Sequence, residues 1–220
     1  MIQDRMDPPV TRLLVTGCGT GIEAAILSQR LDTQVVGVDL PEFGTTLNLD
    51  PQYAGMETVD LQVGDAENLA FEDASFDFVY SFHAIEHFAH YKKALQELKR
   101  VLKPGGGCFV GTPNKHRWFA YFGAKEGKLT FRKKITRNLD DYRYRLLGRF
   151  ENELGAHAGF YAEQLGPELE ELLGHAEDVT NEYFLRKFSG KAKLVQHLIR
   201  IGATRYLFPS ISFFGRKTGT

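Results

Sequence analysis

Three glycines, Gly17, Gly19 and Gly21, follow the apolar run Leu13-Leu14-Val15 at every second position. Glycine at that density marks a strand that ends in a tight turn with its backbone open to a ligand. Two later apolar runs close on carboxylates, Asp39 and Asp65. A carboxylate at a strand end can accept both hydrogen bonds of a ribose diol. Four histidines, His83, His87, His116 and His157, offer proton transfer near neutral pH, because imidazole is the one side chain whose ordinary pKa lies there.

These groups need elements to position them. Residues 13–16, 34–38, 59–63, 76–81 and 108–112 read as short strands of continuous apolar character. Residues 22–31 and 91–102 read as helices, the second with Ala94, Leu95, Leu98, Val101 and Leu102 on one face and a stop at Lys103-Pro104-Gly105-Gly106. Strands that alternate with helices imply an α/β, doubly wound, mostly parallel sheet covered on both faces. Ligands of such sheets sit at the carboxyl ends of strands. The glycine turn, Asp39, Asp65 and Ser81 all fall there, so the spacing predicts one site built from four loops. Further on, the pattern predicts a helix over 161–174, a strand over 178–184, a helix over 191–202 and a final strand over 210–215.

With 220 residues, 43% hydrophobic and 25% charged, the chain is expected to form a single domain with a real core. Cys18 and Cys108 match no metal-ligand spacing, and free thiols in a reducing cytoplasm are expected. The start, MIQDRMDPPV, has no apolar signal-peptide core, and no run reaches the roughly 18 apolar residues of a membrane span. The net charge of −1 is uninformative, but its distribution is not. Lys115–Arg149 holds eleven Lys/Arg against Glu126, Asp140 and Asp141, a local charge of +8, interleaved with Trp118, Phe119, Tyr121, Phe122, Phe131, Tyr142 and Tyr144. Residues 115–155 therefore read as a partly helical basic–aromatic insertion or cap within the domain.

The glycine spacing narrows the ligand. A dinucleotide loop, G-x-G-x-x-G, needs glycine at position 22, which is Ile22, and no Gly-Lys-Ser/Thr comes after it to make a triphosphate loop. Asp39 suits NAD or an adenosine without phosphates equally well. Downstream, GDAENLAFEDASFDFVYSFHAIEHF and then ALQELKRVLKPGGGCFVGTPN resemble the class I S-adenosylmethionine-dependent methyltransferases of the small-molecule "type 11" kind. The likeness runs in order from Leu13 to Asn114. It implies a seven-stranded sheet with an antiparallel last strand and S-adenosyl-L-methionine as cofactor, leaving as S-adenosyl-L-homocysteine. It also implies roles. Thr16, Gly17, Gly19 and Gly21 would cradle the methionine part, while Asp39, with Leu40 beside it, would take the ribose hydroxyls. Asp65 would accept from the adenine amino group while the Ala66 amide donates to the ring, and Ser81, Phe82 and His83 would line the sulfonium side. The family usually has an acid two positions before the first glycine. Here Val15 stands there, so either the Thr16 hydroxyl substitutes in part or the cofactor binds more weakly. The helices that often precede the first strand in the family are not expected, which leaves the basic–aromatic segment to cover the site.

Methyl transfer to oxygen needs a base, and His87 and His116 are the candidates. The plainer readings are polar surface for His87 and capping or packing for His157. The basic segment fits a solvated helix pair, an anionic acceptor or membrane surface, or RNA. SFHAIEH stands where base-amine methyltransferases carry Asn/Asp-Pro-Pro-Tyr/Phe, which makes nucleic acid the weaker reading. TPNKHRW and GAHAGFY resemble methyltransferases of sugars and glycan precursors. O-methylation of a small or glycan-like acceptor is therefore expected, with a non-catalytic cofactor-binding module as the competing class.

Overall fold

The computed structural model describes residues 1–40, 48–120, 130–152 and 157–219. Pro41 after the second strand, and Tyr121, Phe122 and Glu126 of the basic segment, lie outside them. Seven strands form one sheet: β1 (Arg12–Thr16), β2 (Gln34–Asp39), β3 (Val59–Val63), β4 (Phe76–Phe82), β5 (Leu102–Pro113), β6 (Gly174–Asp178) and β7 (Ser210–Lys217). Their order is β3-β2-β1-β4-β5-β7-β6. The pairs β1–β2, β2–β3, β1–β4 and β4–β5 are parallel, and β7 runs antiparallel to both β5 and β6. The expected architecture is therefore present, with the order reversing between β1 and β4.

Helices α1 (Ile22–Leu31), α2 (Tyr91–Val101), α3 (Phe131–Leu146), α4 (Ala162–Leu173), α5 (Thr180–Lys187), α6 (Ala192–Arg200) and α7 (Thr204–Leu207) complete the described elements. Side chains of a strand alternate between faces, so the sheet builds two cores. Leu14, Val79 and Val110 meet Leu95 and Leu98 of α2 and Leu165 and Leu169 of α4 on one face. Leu13, Val15, Phe78 and Phe109 meet Ala24 of α1, and Val179 and Tyr183 at α5, on the other. Each such fully buried Leu or Phe contributes about 1.5–3 kcal/mol relative to exposure.

Two expectations need correction. The strand expected over 178–184 is Gly174–Asp178, and residues 180–187 form α5. The aromatic and β-branched run there looks extended locally. Instead the Asp178 carboxylate accepts the Thr180 amide at 2.8 Å and starts a helix, whose Phe184 is buried with Val195 and Phe208. The strand expected over 108–112 begins at Leu102, with an irregularity in its pairing between Phe76 and Phe78. The Lys-Pro-Gly-Gly stop thus lies inside an extended segment that pairs on both sides of it.

Candidate functional site

The loop after β1 holds Gly17, Gly19 and Gly21 at φ of 67°, 51° and 71°, the left-handed region that glycine reaches without a side-chain clash. The Gly17 amide donates to the Val38 carbonyl at 2.8 Å, and a Cβ at Gly17 would lie 2.4 Å from that of Ala84. A Cβ at Gly21 would lie 2.7 Å from Leu49 Cδ1, whereas at Gly19 it would meet nothing within 4 Å. Gly17 and Gly21 thus allow close packing, while Gly19 faces open space where a ligand can approach the backbone. Asp39 fixes the loop: its Oδ2 accepts the Gly19 amide at 2.6 Å and its Oδ1 the Leu40 amide at 2.8 Å. A carboxylate has about four acceptor sites, so two remain for a diol. Burial, then the Asp39 charge, pushes the Cys18 thiol up to about 12, which leaves it un-ionised and unreactive at neutral pH.

Asp65 lies just past β3 and is exposed; its Oδ1 accepts the Glu67 amide at 2.8 Å, which turns the chain and places Ala66 inward. Thr16 and Ser81 are register partners at the ends of β1 and β4. Both are fully buried, and neither hydroxyl has a hydrogen-bond partner among the described residues. Unsatisfied buried hydroxyls are costly, and two of them at the point where the strand order reverses mark a place built for a polar ligand. Val15 lies on the opposite face, in the core with Cys18 and Ala24.

Beyond β4, Phe82 and His83 meet edge to face at 4.3 Å, and His83 has φ 54°, a strained conformation for a residue with a side chain. A short turn, Ile85–His87, precedes α2. Within it the Glu86 side chain is only 2% exposed. Its Oε2 accepts the Thr112 hydroxyl at 3.0 Å, and its Oε1 stands 3.4 Å from His83 Nδ1 and 4.0 Å from His87 Nε2. Glu86, His87, Tyr91, Asn152, His157 and Phe160 line a pocket of about 200 Å³. The His87 and His157 rings lie 4.8 Å apart, and partial burial, then the His87 charge, lowers the His157 pKa below its ordinary 6.5. Arg117, itself buried, holds the His157 carbonyl at 2.8 Å and pairs with Asp141 at 3.0 Å. Asn152 exchanges two hydrogen bonds with the backbone of Gly159.

Of the two histidines expected as bases, His87 stands in this pocket. His116 stands elsewhere, its Nε2 2.7 Å from both Glu163 Oε1 and Arg205 Nη2. Sequence reasoning missed Glu86 as a buried carboxylate and assigned His157 to packing. The spacing His83, Glu86, His87 was the available signal, but His157 reaches the pocket only through the fold. Among the described residues, no group of three or more His, Cys, Asp or Glu is placed to hold a metal ion, and no helix is long and apolar enough to cross a membrane.

A family model of a methyltransferase domain, Methyltransf_11, matches residues 14–110. The chain is 39% identical over 104 residues to the biotin biosynthesis bifunctional protein BioHC of Cellvibrio japonicus, covering 46% of this chain and 20% of that protein. It is 38% identical over 96 residues to phthiotriol/phenolphthiotriol dimycocerosates methyltransferase 1 of Mycobacterium ulcerans (43% and 35%), and 40% identical over 98 residues to a demethylmenaquinone methyltransferase of Staphylococcus aureus (44% and 40%). The matches thus span less than half the length of these relatives. In fold the chain is similar to YcgJ of Bacillus subtilis, with TM-score 0.60, 20% identity, and coverage of 100% of this chain and 97% of that one. It is also similar to Haemonchus contortus phosphoethanolamine N-methyltransferase 2, solved with S-adenosyl-L-methionine, with TM-score 0.56, 22% identity, and coverage of 96% and 49%.

Proposed function

Residues 14–110 form a class I S-adenosylmethionine-dependent methyltransferase domain, and on that premise we propose that the chain methylates an oxygen of a small or glycan-like acceptor, with His87 as the base. The observation that carries this reading is the pocket built on the stretch after β4. Ala84 abuts Gly17 of the glycine loop, and its successors in the chain, Ile85, Glu86 and His87, line the pocket. Acceptor and cofactor loops are thereby joined through one contact. When bound, S-adenosyl-L-methionine supplies a methyl group on an already activated sulfonium. The cradle fits it: Gly19 faces open space, Asp39 keeps acceptor capacity for the ribose, and the Thr16 and Ser81 hydroxyls await partners.

The remaining work is alignment and proton removal. His87 takes the acceptor proton at Nδ1, and the buried Glu86 carboxylate beside Nε2 steadies the resulting imidazolium. His157, held neutral, keeps a second positive charge out of the pocket. The described part of the basic–aromatic segment acts as the cap, since Asn152 near its end lines the pocket and His157, just beyond it, lines the same side. A volume of about 200 Å³ is below the roughly 300–1,000 Å³ of drug-sized sites, which favours one ring or one sugar at a time. Two of the relatives are methyltransferases of demethylmenaquinone and of phthiotriol dimycocerosates, which supports a small-molecule acceptor over nucleic acid.

The test is calorimetry with S-adenosyl-L-homocysteine, and then incubation with methyl-labelled cofactor and fractionated extract. Binding together with base-stable label in a small-molecule or glycan fraction is expected. Label lost on RNase treatment overturns the acceptor reading. No binding of S-adenosyl-L-homocysteine or S-adenosyl-L-methionine at millimolar concentration overturns the enzyme.

A further inference from the structure

Helix α3 has sixteen residues, of which only Asn138 is buried. A helix packed on a globular body ordinarily turns its apolar side inward. This one is held by polar groups. Asn138 bonds both the amide and the carbonyl of Ala120, Asp141 pairs with Arg117, and Arg145 donates to the carbonyls of Lys115 and Arg117. Its apolar residues, Phe131, Ile135, Leu139, Tyr142 and Leu146, recur at spacings of four, four, three and four and are all solvent-exposed, Leu146 at 88% and Phe131 at 68%. Exposed Arg132 and Arg143 border that row along one side of the helix. Trp118, 55% exposed, extends it: its carbonyl accepts the Tyr142 hydroxyl at 2.6 Å, and its ring stacks on Tyr206 of α7 at 5.0 Å.

We propose that this face docks on an anionic lipid bilayer, with α3 lying in the plane of the interface. The apolar row enters the boundary between headgroups and acyl chains, Arg132 and Arg143 meet anionic headgroups, and Trp118 and Tyr142 sit at headgroup depth. Charge selects this occupant. The segment Lys115–Arg149 carries +8 in a chain of net −1, so a second copy across the same face would set like charges against each other. The aliphatic members, Ile135, Leu139 and Leu146, have no ring on which a nucleic-acid base could stack, which disfavours RNA. This inference goes beyond methyl transfer and does not depend on it.

Trp118 is the chain's one tryptophan and reports directly on the face. The full chain is mixed with vesicles of phosphatidylcholine containing phosphatidylglycerol, and separately with phosphatidylcholine alone, at low and high salt. Sedimentation with the anionic vesicles, a blue shift of Trp118 emission and release by salt are expected. The pairs Leu139→Ser with Leu146→Ser, and Arg132→Glu with Arg143→Glu, should each weaken partition by about tenfold or more while the melting temperature stays unchanged. No partition into anionic vesicles at low salt overturns the proposal, as does equal partition of either pair and the parent. A dimer that the serine pair dissociates, without vesicle binding by the parent, assigns the face to a second copy instead. RNA binding by the parent without vesicle binding also overturns it.

Discussion

The Gly19 amide donates to Asp39 Oδ2 at 2.6 Å, so the side chain that ends β2 sets the conformation of the loop that ends β1. The same carboxylate holds the Leu40 amide through its other oxygen, and an asparagine, with one acceptor oxygen and a donor NH2, can make only one of these two bonds. Asp39→Asn is therefore expected to loosen the loop and weaken S-adenosyl-L-homocysteine binding by about 1–3 kcal/mol. Titration calorimetry at fixed pH checks this, and an unchanged affinity removes Asp39 from the site.

The three loop glycines should separate on substitution. Gly17→Ala forces its Cβ to 2.4 Å from that of Ala84, an overpacking expected to cost about 1–3 kcal/mol on top of the left-handed strain. Gly19→Ala meets no protein atom and should cost only about 1–2 kcal/mol, yet it places a methyl group where the ligand approaches. Thermal melts with and without S-adenosyl-L-homocysteine distinguish them. Gly17→Ala lowers the melting temperature itself, and Gly19→Ala abolishes the ligand-induced rise.

Thr16 and Ser81 bury hydroxyls that nothing among the described residues satisfies. Replacing them with groups of similar shape, Thr16→Val and Ser81→Ala, should leave the ligand-free protein as stable as before or raise its stability by up to about 1–3 kcal/mol. Cofactor affinity should fall in the same variants. If stability drops and affinity holds, the hydroxyls are structural.

His87→Ala is expected to lower the turnover of an oxygen acceptor by about 10²–10⁴-fold while cofactor affinity stays the same. Glu86→Gln keeps an acceptor for Thr112 but removes the charge near His87, so its effect should be smaller and appear in kcat rather than KM. His116→Ala, at a histidine bonded to Glu163 and Arg205, should leave turnover unchanged. Single-turnover kinetics with the identified acceptor decide between the two histidines.

His157 has a pKa below 6.5 in the folded protein, so the unfolded chain takes up its proton first as pH falls. Its contribution to stability is therefore complete above pH 6.5 and is lost as pH drops from there towards the lower folded value. Denaturant titrations of the parent and His157→Gln should run parallel above pH 6.5, and the parent should lose stability relative to the variant as pH falls below it. An NMR titration of the His157 ring at or above 6.5 contradicts the assignment.

The order of strands and helices was written in the sequence from Leu13 to Asn114, because buried parallel strands read as continuous apolar runs and the first three close on a glycine or a carboxylate. Gly17, Gly19, Gly21, Asp39 and Asp65 could be picked out for the same reason: their roles depend on local backbone geometry at strand ends. The turn into α5 misled, since Thr180–Lys187 is locally as suited to a strand as to a helix, and only the burial of Phe184 between α6 and α7 settles it. The pocket was likewise beyond local reading. Glu86 finds its hydrogen-bond partner in Thr112 of β5, and His157 meets His87 while Arg117 holds its carbonyl and Asn152 holds the Gly159 amide. The composition of residues 115–155 indicated a partly helical basic–aromatic cap, but not which side α3 buries. That depended on Asn138 finding Ala120 and Asp141 finding Arg117, polar contacts between residues distant in sequence that turn the apolar row to solvent.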